Sequence, residues 1–231
     1  GLCGIEHPWW MDLGINIGHV ICQDAHHGLH KAFCNHDLKW IQATIGSDKL
    51  DKQFCAQSHC TGVCHFTKGI SHISQWSGKE DHDIQQLILK VIARAENATP
   101  AVINAVHSHL EFMYLAQLPQ HTDTSLHLMQ SCLNKYNKAQ LIYIHNGAHS
   151  GKNGIISHMK IPKAHANGHI EEGIKDSSMI DNYSMETPET YHIAACKEPW
   201  KESNHKDYMI QVIHQLTHHE AIHSYSLYLE W

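Results

Sequence analysis

Arginine is nearly missing from this chain. Of its 17 basic side chains only Arg94 is arginine, and 23 acids leave a formal charge of −6 over 231 residues. Non-specific nucleic-acid binding needs clustered cations that displace counterions, and guanine readout needs guanidinium forks, so this balance points away from a nucleic-acid partner. Long hydrophobic runs are absent too. None reaches the roughly 18 residues that span a bilayer and no signal-peptide pattern is read in the sequence, so a transmembrane segment is not expected. The chain starts at Gly1 and reads as a processed mature form. No internal repeat, low-complexity tract or G-x-S-x-G nucleophile elbow occurs.

What is abundant is histidine, with 25 residues. Hydrophobic residues make up 42% and charged residues 17%, which excludes a disordered, collagen-like or coiled-coil chain. At this length folding buries roughly 70–75% of the unfolded surface, enough for a core without help from metals. A single domain over 1–231 is expected, with room for a Cys-rich subdomain at 1–80. Unperturbed imidazoles titrate near pH 6.5, so the net charge swings towards roughly +18 at pH 5.

Six of the eight cysteines fall in the first 64 residues: Cys3, Cys22, Cys34, Cys55, Cys60 and Cys64, with Cys132 and Cys196 beyond. An even count at irregular spacing predicts disulfides and a secreted or extracellular protein. Two glycosylation sequons, Asn97-Ala98-Thr99 and Asn182-Tyr183-Ser184, agree with this.

Periodicity predicts an α-rich α+β fold. The N-terminal third reads as irregular and disulfide-laced, apart from a short helix around 24–45. Helices follow over about 83–138 and 206–230. Ile84, Leu87, Ile88, Val91, Ile92 and Ala95 form one apolar stripe. Thr99-Pro100 opens a second helix carrying Val102, Ile103, Val106, Leu110 and Met113, which Pro119 stops. A third runs from Ser125 to about Lys138. Leu141–Ile144 and Ile155–Met159 read as strands of a β-hairpin within about 140–161, and 162–205 as polar turns. The pair Trp9-Trp10 suits a core or a glycan-facing platform.

The clearest chemical pattern is His219-Glu220-Ala221-Ile222-His223. On a helix, H-E-x-x-H sets two imidazoles one turn apart on a shared zinc ion, with the glutamate activating the bound water. At about 100° per residue, Met209, Ile213, Leu216 and Leu227 define an apolar face; Glu220 and His223 fall within it and His219 at its edge. The histidine-rich composition yields about 0.14 such matches by chance. Over these five residues the pattern resembles the zincin metallopeptidase helix, which implies Glu220 as general base and His219 and His223 as metal ligands. That family takes a third ligand downstream. Here only Glu230 is available, about 10 Å along the helix, so His107 or His109 is assigned to complete the site.

Cys60-Thr61-Gly62-Val63-Cys64-His65 resembles a c-type haem attachment site lengthened by one residue. The segment is also similar to the nucleophile region of papain-like peptidases, but the cysteine spacing is off by one and no Asn-Ser-Trp-Gly follows. Glu189-x-x-His192, His36-Asp37 and His82-Asp83 occur about as often as composition alone dictates. Gly147–Asn153 imitates a phosphate loop but lacks a spacer and the Ser/Thr that holds magnesium. The leading expectation is a secreted zinc-dependent hydrolase acting on a small-molecule, peptide or glycan substrate. A non-catalytic extracellular binding or structural domain with surface histidines is the second, and a haem protein the third.

Overall fold

The computed structural model describes residues 9–14 and 23–231. The chain divides into two compact units, Gly1–Ser184 and Met185–Trp231. Buried residues from Ala25 onward share one apolar core with the central helices.

Around a short helix α1 (Trp9–Asp12) little is described. A π-helical turn at His26–His30 runs into α2 (Lys31–Asn35), followed by α3 (Asp37–Ile45) and α4 (Ser47–Cys55). Gly46 separates the last two at φ 94°, a left-handed value that favours glycine. After a loop come the three long helices of the unit: α5 (Gly78–Ile92), α6 (Pro100–Ala116) and α7 (Asp123–Ala139). Each starts on a side-chain cap that satisfies an otherwise orphaned backbone N–H. Ser77 and Glu80 form a reciprocal capping box on α5, Thr99 accepts from the Val102 N–H ahead of Pro100 on α6, and Thr122 and Ser125 cap α7 reciprocally.

The predicted stripes are the buried faces. Ile84, Leu87, Ile88, Val91 and Ile92 of α5 are buried, as are Val102, Val106, Leu110 and Met113 of α6. Helices α6 and α7 make the most extensive helix pairing among the described residues. Phe112 of α6 and Phe33 of α2 are fully buried in the same core.

Elsewhere the structure corrects the expectation. Most of the described N-terminal third is helical, and irregular backbone is confined largely to 56–76. There Gly69 lies so close to Asp51 that a Cβ would meet its carboxyl carbon at 2.3 Å, while that carboxylate accepts from the Ile70 N–H at 2.7 Å. No disulfide forms among the described cysteines. Cys34, Cys55, Cys60, Cys64, Cys132 and Cys196 are free thiols; Cys3 and Cys22 lie outside the described residues. Cys34 and Cys132 are buried in the core, and the Cys55 thiol donates to the Thr67 carbonyl, so these positions serve packing and local bonding.

The hairpin is smaller than predicted. β1 (Ser150–Gly151) and β2 (Gly154–Ile155) pair antiparallel, Ser150 opposite Ile155, so of the expected strand residues only Ile155 takes part. The expected first strand is a helical turn, α8 (Ile142–His145), because Tyr143 is fully buried with its ring 5.1 Å from that of Trp40. The stretch 162–205 is polar yet largely helical: α9 (Pro162–Ala166), α10 (Ile170–Ser177), α11 (Glu186–His192) and α12 (Glu198–Glu202). Pro162, Pro188 and Pro199 sit in the first turns of helices, where a missing N–H costs nothing, rather than in turns.

In the second unit a π-helical turn at Ile193–Lys197 joins α11 to α12, and that turn and α12 pack with α13 (Tyr208–Glu230). Of the whole of α13 only Val212 is buried. No helix among the described residues is long and apolar enough to cross a membrane.

Two outcomes follow. Phe112→Ala should cost about 3–5 kcal/mol in urea unfolding, whereas Leu229→Ala, 66% exposed, should change stability by less than about 0.5 kcal/mol. Titrating the denatured, unreduced chain with a thiol reagent should reveal at least the six described thiols; a lower count contradicts the structure.

Candidate functional site

The H-E-x-x-H segment lies on the continuous helix α13, so His219 and His223 stand one turn apart as the spacing requires. The face it was expected to bury is open. Met209 is 59% exposed, Ile213 55% and Leu227 52%, and His219, Glu220 and His223 are all exposed. No hydrogen bond or ion pair engages these three side chains. The cause is packing: within residues 185–231 α13 packs mainly on α12 and the π-helical turn before it, Val212 is its one buried residue, and helical phase alone cannot bury a face. Within residues 185–231 no third His, Cys, Asp or Glu joins His219 and His223.

The two assigned upstream ligands part company on α6. His107 is exposed, its Nδ1 3.5 Å from the Glu111 carboxylate one turn on. His109, two residues along and so on another side of the helix, is sealed in the core. Its Nδ1 lies 3.2 Å from Oδ1 of Asp37, off the line a hydrogen bond needs, and its ring stacks on Tyr136 at 3.9 Å. Tyr136 donates its hydroxyl to the same Asp37 oxygen at 2.9 Å. Burial, and then the adjacent Asp37 charge, push the Tyr136 phenol well above its ordinary range, so it remains a donor.

A second polar cluster joins the π-helical turn to α5. His30 Nδ1 is 2.8 Å from Gln85 Oε1, and its ring lies 3.7 Å from that of His82. Burial, with the neighbouring His82 next, lowers the His30 pKa to about 4. Asp81, 1% exposed, is shifted the other way: burial raises its carboxyl pKa, and the neighbouring Cys34 thiol only partly counters this. The Cys34 thiol is pushed up in turn by burial and by Asp81, which makes it a poor nucleophile. On the same turn His26 and His27 bring ring nitrogens within 4.8 Å of each other, the kind of pair that can ligate a metal. One of these is committed already, His27 Nδ1 to Asp24 at 2.5 Å.

Sequence reasoning passed over Asp37, Asp81 and Asp83 because acid–histidine dipeptides are cheap in this composition. The missed signal was position: Asp37 and Asp81 are buried among apolar residues of amphipathic helices, where an acid needs partners. Asp83 accepts from the Cys64 N–H at 2.9 Å and from Lys79 at 2.8 Å, tying the loop to α5. That loop holds the haem-like segment. Cys60 and His65 are exposed, Cys64 is half-buried, and the cavity they line is about 10 Å³, far below the volume of a macrocycle.

His30 gives a pH signature with a definite sign. A histidine whose folded pKa lies below its unfolded value stays neutral in the fold and charges on unfolding. Its contribution is complete above about pH 6.5 and is lost as pH falls from 6.5 towards 4, by about 3 kcal/mol at the most. Unfolding free energies measured from pH 7 to 4.5 should therefore fall less steeply in His30→Gln than in the parent; parallel curves contradict this assignment. No protein-family model, curated protein or solved structure matches this chain.

Proposed function

We propose that the protein is a non-catalytic binding domain that presents histidines at its surface, and that α13 takes a divalent transition-metal ion through His219 and His223. The observation that carries this is the exposed, unengaged imidazole pair one turn apart, with no third protein ligand beside it within 185–231. A catalytic zinc site uses three protein ligands and one open position. Two imidazoles and solvent make a weaker, exchangeable site suited to binding. His214 and His218, also exposed on α13, repeat the same spacing and add a second pair.

A zinc-dependent hydrolase is the second reading, favoured by one feature: Glu220 stands exposed between the two histidines, free to act as general base on a metal-bound water. A peptide, glycan or small-molecule substrate belongs to that reading. Secretion is part of both proposals and rests on the two sequons, since the described cysteines are thiols.

Calorimetric titration with zinc at pH 7.5 should give a dissociation constant in the micromolar range, about 8 kcal/mol of binding. His219→Ala/His223→Ala should weaken it at least tenfold. Retained affinity in that double variant overturns the site. Zinc-dependent turnover of an ester or peptide probe that is lost in Glu220→Gln, with zinc binding kept, would replace the first reading by the second.

A further inference from the structure

The geometry points to a small-molecule site in the first unit, remote in sequence from the histidines of α13: a groove that takes a small organic anion with an apolar body. The groove, about 610 Å³, opens where the C-terminal end of α7 faces the segment Met159–His165. That volume lies within the range of ligand pockets, roughly 300–1,000 Å³. Met159, Ile161 and Pro162 supply an apolar wall. Lys160 and His165 stand exposed, and no carboxylate of the described residues lines the groove.

A polar chamber behind the groove supplies the second, independent observation. It measures about 20 Å³ and shares Gln140, Ile161 and Ala164 with the groove, so the two are neighbours across one wall. His109, Gln140 and Asn167 line it at 3–4% exposure. Both ring nitrogens of His109, Oε1 of Gln140 and Oδ1 of Asn167 have no hydrogen-bond partner. An unsatisfied buried polar group costs about 1–3 kcal/mol, and one water needs roughly 10–15 Å³ and two to four polar partners. The chamber has both the space and the partners. Asp37 and Lys163 also line it, and the Lys163 ammonium donates to the His27 carbonyl at 2.9 Å.

The pieces order a ligand. An anionic group lies at the exposed Lys160 ammonium, the apolar body lies on Met159, Ile161 and Pro162, and any hydroxyl at the inner end meets the polar floor at Gln140. Lys160 is then the specificity-determining cation. The residue is exposed, its backbone N–H donates to His158 Nδ1 at 3.3 Å, and no hydrogen bond or ion pair among the described residues engages its ammonium, so its charge can be reversed without disturbing the core.

Amide chemical shifts of the full chain, followed during titration with phenyl phosphate, test this. Saturable shifts at Gln140 and across 159–165 are expected at millimolar or lower concentration. Lys160→Glu should weaken binding about tenfold while the remaining amide spectrum stays in place. Inorganic phosphate, lacking the apolar body, should bind about tenfold more weakly than phenyl phosphate. Three results overturn the proposal: no saturable shift by about 10 mM phenyl phosphate, equal affinity in Lys160→Glu, or inorganic phosphate binding as tightly as the aryl ester.

Discussion

The packing of α6 against α7 is the contact on which the first unit depends. These two helices bury Val106, Phe112 and Met113 against Leu126, Met129 and Leu133, and the other elements close around that pair. One polar thread runs through the apolar contact. Tyr136 of α7 reaches Asp37 of α3 across 99 positions of sequence, and His109 of α6 lies flat against the Tyr136 ring. A buried acid without such partners would cost several kcal/mol, so the thread fixes which way α3 docks on the central pair.

Histidine abundance takes on two physical roles here. Inside the fold His30 and His109 are held neutral or stacked, each against a partner from a distant part of the chain. Outside it, along α13, histidines are exposed and unengaged. The residue type is the same; the surroundings differ in dielectric and in partners, which set whether an imidazole is a packing element or an available ligand.

The three long helices of the first unit were legible from sequence because their signals are local. The cap at Thr99, the proline at the first helical position and apolar residues at three- and four-residue spacing act within a turn or two of the backbone, while the caps at Ser77 and Thr122 went unread. The candidate site was less legible. The H-E-x-x-H spacing located α13, but the apolar face assigned to it stayed open to solvent, since burial depends on what packs against a helix. Cysteine counting failed for a related reason: pairing requires two Cβ atoms about 4 Å apart, and number and spacing along a chain carry no such distance. The expected hairpin shrank because Tyr143 found the Trp40 ring and stayed helical to reach it.

By itself the amino-acid order determined the helices at about 83–138 and 206–230, the scarcity of guanidinium groups and the one-turn separation of His219 and His223. Each follows from backbone sterics, from composition or from the 3.6-residue period. Only the tertiary structure decided that His109 is sealed away while His107 is exposed, that Asp37 joins Tyr136, that the described cysteines remain thiols, and that a groove backs onto a polar chamber at Gln140. Those are facts about neighbours distant in sequence, and hydrogen bonds, burial and cavities are set by the distances between them.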